Sequence, residues 1–135
     1  MAFMRLKRLS KEKRGAATVE MVVVILMLLS VTFGAIEYGW VFYRMQQVSN
    51  VARESARTAA LANNTATDAQ ARFAELVTDW GLTGAILQIN PASPEGALQG
   101  DPITVTVTVP YAGMELVGLV PTPNNLTSSA TMARE

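Results

Sequence analysis

The sequence predicts an α+β protein: a long N-terminal membrane-spanning helix continuing into a stalk, a second short helix, and a small antiparallel β-sheet. Three observations predict it. Between Glu20 and Glu37 the sixteen residues Met21–Ile36 carry no charge, and their only polar members are Ser30 and Thr32. Beyond them Val48, Val51, Ala52, Ser55, Ala56, Ala59 and Ala60 recur at helical spacing. After Gly84 the apolar period changes to two, the period of a half-buried strand.

The apolar run comes first. Ten of its sixteen residues are Val, Ile, Leu or Phe, each favourable by about 0.3–0.6 kcal/mol at the centre of a spanning helix. Extension through Val19 on one side and Tyr38–Tyr43 on the other reaches the ~20 residues that a bilayer requires. The β-branched run Val22–Ile25 is a poor helix in water. In lipid it has no alternative, because only the helix satisfies its backbone groups.

Charge sets the orientation. The net charge is zero, but residues 1–14 carry +5 and the remainder −5, and all three lysines lie in the first thirteen residues. A basic arm beside a span places the N-terminus in the cytoplasm and the C-terminal part outside it. Tyr38, Trp40, Phe42 and Tyr43 read as an aromatic belt on the far side. Positive-inside retention accounts for the arm without nucleic acid. A cleaved secretory signal would have a shorter apolar core and an A-x-A site.

Cysteine and histidine are absent. Disulfides, Cys/His metal sites and Cys–His or Ser–His nucleophiles are therefore excluded. With lysine confined to the arm, a Ser–Lys pair in the C-terminal half is excluded as well. The chain reads as a non-enzyme with no cofactor and no metal.

The small-residue stripe carries the first helix to about Ala62, where Asn63-Asn64-Thr65 breaks it. Thr67-Asp68-Ala69-Gln70 reads as a capping box for the second helix. Phe73, Leu76, Val77 and Trp80 form that helix's apolar face, and Gly81 stops it. Glu75 and Asp79 share the opposite face as solvated charges. Ala85–Asn90 is a short strand. Ile103, Val105, Val107 and Val109 alternate with three threonines in a second, and Leu126–Met132 is a third. Asn90-Pro91, Ser93-Pro94 and Gly100-Asp101-Pro102 supply the turns between the first two. Pro110–Asn125 carries Met114, Leu116, Val117, Leu119 and Val120, which either complete the core or form an exposed contact patch. The expected division is an arm at 1–15, a span at 16–43, a stalk at 44–63 and an outer domain at 64–135.

Several motifs occur in a telling order. Arg14-Gly15-Ala16-Ala17-Thr18-Val19-Glu20-Met21 opens into the apolar helix, and Ala35-Ile36-Glu37-Tyr38-Gly39 closes it. Asn50-Val51-Ala52-Arg53-Glu54-Ser55-Ala56-Arg57 follows, and Leu126–Glu135 ends the chain. This order resembles the TadE-like pseudopilins of Tad/Flp pilus systems. Ser55 stands where the family usually has Gly, and Met21 where many relatives have Tyr.

The resemblance implies a pilin-like fold and cleavage by a prepilin peptidase between Gly15 and Ala16, leaving 120 residues, where the residues alone leave Gly15 as a hinge between arm and helix. It further implies pilin and pseudopilin subunits and the Tad assembly machinery as partners. The location implied is the bacterial inner membrane, or the cell exterior once a pilus is built. Glu20 would then be the fifth residue, its carboxylate paired with the Ala16 ammonium within the chain or across subunits, which would fix the register of packed helices. The residues themselves leave an interfacial Glu20 that snorkels to water as the alternative.

Ser30-xxx-Gly34 and Ala35-xxx-Gly39 have the small-xxx-small spacing that permits close helix approach. Gly34 and Gly39 serve equally well as flex points. Glu37 lies about 25 Å beyond Glu20 along a helix, as an acid of the outer interface that snorkels to water. The expected function is that of a structural pseudopilin. The alternatives are a major filament subunit and a permanent single-pass protein whose outer domain binds a partner.

Overall fold

The computed structural model describes the backbone from Ala2 and the side chains from Gly15 onward, so the basic arm of residues 1–14 lies outside the described side chains. Helix α1 runs from Ala2 to Ala60 and helix α2 from Ala66 to Asp79. Strands β1 (Ile86–Asn90), β2 (Pro102–Pro110) and β3 (Asn125–Ala133) form one antiparallel sheet in the order β1-β2-β3. The α+β arrangement expected from the sequence is the one observed.

The second half of α1 is the spine of the globular part. Val48, Val51, Ala52, Ser55, Ala56, Ala59 and Ala60 are all buried, so the whole predicted stripe faces inward. Small residues let the sheet lie close against the helix. From β2 the facing side chains are Ile103, Val105, Val107 and Val109, each fully buried. On the outer face the alternate threonines pair across the strands. Thr104 meets Thr131 at 2.9 Å, Thr106 meets Ser129 at 3.2 Å and Thr108 meets Thr127 at 3.2 Å. The strict alternation of β2 thus makes a dry face and a hydroxyl face, and a one-residue slip would exchange them.

Helix α2 lays Phe73, Leu76, Val77 and Trp80 against the same core, with Ala69 fully buried beneath them. Its start differs from the sequence expectation by two residues. The N-cap is Thr65, not Thr67. Thr65 Oγ1 accepts from the Asp68 amide at 3.4 Å, and an Asp68 carboxylate oxygen accepts from the Thr65 amide at 2.8 Å. An aspartate at the third helical position closes the box as well as the usual Glu or Gln, and the pattern built on Gln70 missed it.

The far end stops where predicted. Gly81 takes φ +61°, its amide donates to Thr78 O at 3.2 Å, and the Leu82 amide donates to Val77 O at 3.0 Å. This is a Schellman ending, with Leu82 buried beneath it. Helix α2 has no basic residue in its last turn; Arg44 of α1 supplies one, its guanidinium donating to Trp80 O at 3.1 Å.

Candidate functional site

Between Val19 and Ile36, α1 is left largely bare by its own chain. From Val19 to Phe33 every large apolar side chain is exposed, Met27 at 72% and Leu28 and Val19 at 66% each, and Ile36 is exposed too. One helix among the described residues, Gly15–Ala60, is long and apolar enough to cross a membrane. Its two hydroxyls do not interrupt it. Ser30 Oγ donates to Leu26 O and Thr32 Oγ1 to Leu28 O, each at 2.8 Å, so neither needs water.

The residues singled out for processing and packing all lie along this bare half. Gly15, Ala16 and Glu20 are exposed and helical, about one turn separating Ala16 from Glu20. Ser30, Ala35 and Gly39 are exposed and Gly34 half-buried. A Cβ built at Gly15, Gly34 or Gly39 would meet nothing within 4 Å. None of these glycines is required by packing within the chain.

Glu37 is different, and its place corrects the sequence reading. It does not snorkel to water: its exposure is 0%. Three successive backbone amides of the β2–β3 loop converge on its carboxylate. Leu116 N reaches Oε1 at 3.2 Å, while Val117 N and Gly118 N reach Oε2 at 2.7 and 3.1 Å. The Tyr111 hydroxyl lies 3.5 Å from Oε1. Gly118 has φ +69°, a conformation open to glycine, which helps the chain turn its amides inward. Successive amides folded this way form a small anion-binding concavity. Here the anion is the chain's own side chain. Burial, followed by the negative charges of Glu37 and Glu115, pushes the Tyr111 phenol above its ordinary value of 10.0.

The aromatic belt is likewise only partly a belt. Tyr38, Phe42 and Tyr43 are exposed, but Trp40 is half-buried and donates its indole N–H to Met114 O at 2.8 Å. The Tyr38 hydroxyl donates to Pro121 O at 3.3 Å. Trp40 also stacks on Tyr43 with 5.3 Å between ring centroids and lies under the Arg44 guanidinium at 4.9 Å. The globular part therefore grips α1 from Glu37 onward.

Two structural halves thus meet at Glu37: a bare apolar rod before it and a rod enclosed by its own domain after it. Residues 15–57 match the model of the TadE-like protein family. The TadE-like segment covers the bare rod, Glu37 and the buried stripe as far as Ala56. Helix α2 and the sheet lie beyond it. No curated protein and no solved structure matches the chain.

Sequence reasoning missed what the far end of α1 touches. Arg134, 6% exposed, donates to Ala59 O at 2.8 Å, Ala62 O at 2.8 Å and Asn64 O at 3.3 Å. The Glu135 amide donates to Ala60 O at 2.9 Å. The last carbonyls of α1 are thereby capped from the C-terminal tail. The ending Leu126–Glu135 was noticeable as a motif, but no spacing in it points to a helix seventy residues away. Among the described residues no group of three Asp or Glu side chains gathers as a metal site would require.

Proposed function

We propose that this chain is a structural pseudopilin of a Tad-type pilus, held in the inner membrane by α1 until it enters an assembly. The single observation carrying the proposal is the bare rod inside the TadE-like segment. A row of exposed apolar side chains from Val19 to Ile36 needs lipid or other helices around it. The family is pilus-associated and is not known as enzymatic. Residues 16–36 amount to about 31 Å of helix, close to the ~30 Å hydrocarbon thickness. The span then begins at Ala16 and ends at Ile36, one residue before the buried carboxylate. The basic arm keeps the Gly15–Ala16 bond at the cytoplasmic face for a prepilin peptidase, and the domain gripping α1 from Glu37 lies outside.

In this reading Glu20 works after cleavage. A carboxylate inside the hydrocarbon edge is costly without a partner, and the new Ala16 ammonium supplies one. Paired across subunits, it sets the axial register of packed helices. Gly34 and Gly39, which have no intrachain reason to lack a side chain, give neighbouring helices close approach.

The test is the mature N-terminus in a host that makes the peptidase. Sequencing is expected to begin at Ala16. Glu20→Ala is expected to insert in the membrane normally yet to be missing from sheared pili. An intact Met1 assigns the chain to permanent single-pass anchoring instead, and pili carrying Glu20→Ala at the normal level refute the register role.

A further inference from the structure

The β2–β3 loop presents two large apolar side chains to the outside, Leu116 at 57% exposure and Leu119 at 72%. The position of these leucines is unusual. The amides of Leu116, Val117 and Gly118 bind Glu37, Pro121 O accepts from Tyr38, and Met114 O accepts from Trp40. Those five contacts tie the loop around α1 over a single helical turn, at the point where the bare apolar rod ends.

We infer that this loop is a membrane-contacting collar, with Leu116 and Leu119 seated in the outer interface of the same bilayer that holds residues 16–36. The inference rests on the proposed span. If Ala16–Ile36 fills the hydrocarbon, the membrane surface falls at Glu37, and side chains leaving the loop at that level meet the headgroup and upper acyl region. Continuity supports lipid as the occupant: the bare apolar residues of α1 end at Ile36, one residue before the Glu37 that the loop binds, and no charged side chain of α1 lies between Glu20 and Glu37. The loop's one charged side chain, Glu115, accepts from the Gly113 amide at 2.8 Å within its own turn.

The Glu37 clasp then has a positional role. A loop carrying two leucines into lipid must keep its backbone polar groups satisfied. Three of its amides are satisfied by Glu37, at the depth where water is scarce. The collar also fixes the depth and tilt of the domain, because contact at one side of the helix adds a second anchoring point beside the span.

The chain has no cysteine, which allows single-cysteine probes without further change. Leu116→Cys, Leu119→Cys, Met27→Cys and Leu98→Cys are each labelled with an environment-sensitive fluorophore in the full chain. Each is reconstituted at one copy per phosphatidylethanolamine/phosphatidylglycerol nanodisc. Nitroxide quenchers are placed either near the lipid headgroup or deep in the acyl chain. Leu98 is the outer control: it is 76% exposed, and its turn joins through Asp101 and Arg134 to the Ala59 end of α1, about 33 Å from Glu37. Met27 is the control for the span.

The expected result is quenching at 116 and 119 by the headgroup nitroxide more than by the deep one, the reverse at 27, and none at 98. Quenching at 27 with none at 116 and 119 overturns the collar and leaves the span intact. No quenching at 27 overturns the span and the collar together. Burial of 116 and 119 that needs several copies per disc and shows no nitroxide quenching assigns the loop to a second subunit and overturns the lipid assignment.

Discussion

Glu37 and Tyr111 meet where the rod becomes enclosed, and the Arg44 charge offsets only part of what burial and the nearby carboxylates do to the phenol. The carboxylate is met by three backbone amides and the phenol by the carboxylate. Tyr111 is fully buried, and ionising it would place a second negative charge beside the first. Its folded pKa therefore lies above the unfolded value near 10. The sign follows: below that value Tyr111 is neutral in both states and linkage costs nothing, and as pH rises past it the unfolded chain loses the proton first and stability falls. Absorbance titration of the three tyrosines is expected to show a late-ionising fraction, and Tyr111→Phe to remove it. A wild-type titration identical to that of Tyr111→Phe would refute the buried contact. Little of this was legible in the sequence. Glu37 stands out as a charge beside an apolar run, but its partners are main-chain groups of a loop about eighty residues later. Backbone donors leave no mark in a sequence pattern.

Helices and strands were more legible, because their signals are local. The stripe from Val48 to Ala60 and the alternation of β2 each follow from the period of one element and its single buried face. What the patterns could not supply was how elements close on one another. The end of α1 shows this. The helix stops at Ala60, near the expected Ala62, yet its last carbonyls are capped from the other end of the chain, Ala59 O by Arg134 and Ala60 O by the Glu135 amide, while Arg134 also holds Ala62 O just beyond. Two of those bonds are charge-assisted and short, and removing the donor leaves the Ala59 carbonyl buried without it. Arg134→Ala is expected to cost about 2–3 kcal/mol, with Arg134→Lys recovering only part, since one ammonium cannot reproduce the planar fork. Chemical denaturation of the full chain in a mild detergent measures both, and a loss below ~0.5 kcal/mol for Arg134→Ala would show the cap to be dispensable.

The molecule as a whole is a domain built onto its own long helix. Sequence alone places the outer domain at 64–135, roughly seventy residues without a disulfide, a size that is marginal by itself. The structure shows what compensates. Seven buried residues from Val48 to Ala60 form one wall of the core, and the buried face of β2 belongs to the same apolar cluster. Removing α1 would expose Ile103, Val105, Val107 and Val109 together, at about 1.5–3 kcal/mol for each side chain returned to water. That sum is comparable to the entire stability of a small domain. A fragment beginning at residue 65 is therefore expected to be unfolded, with collapsed amide dispersion in NMR spectra. One beginning at residue 36, which keeps the enclosed half of α1 and the Glu37 clasp but not the bare rod, is expected to be folded and soluble without detergent. The pair separates two designs of anchored protein. A folded 65–135 fragment would make the helix a mere tether, free to move relative to its cargo. Folding only from residue 36 makes the rod and the domain one rigid body, so that whatever fixes the register of the bare half also fixes the position of the sheet.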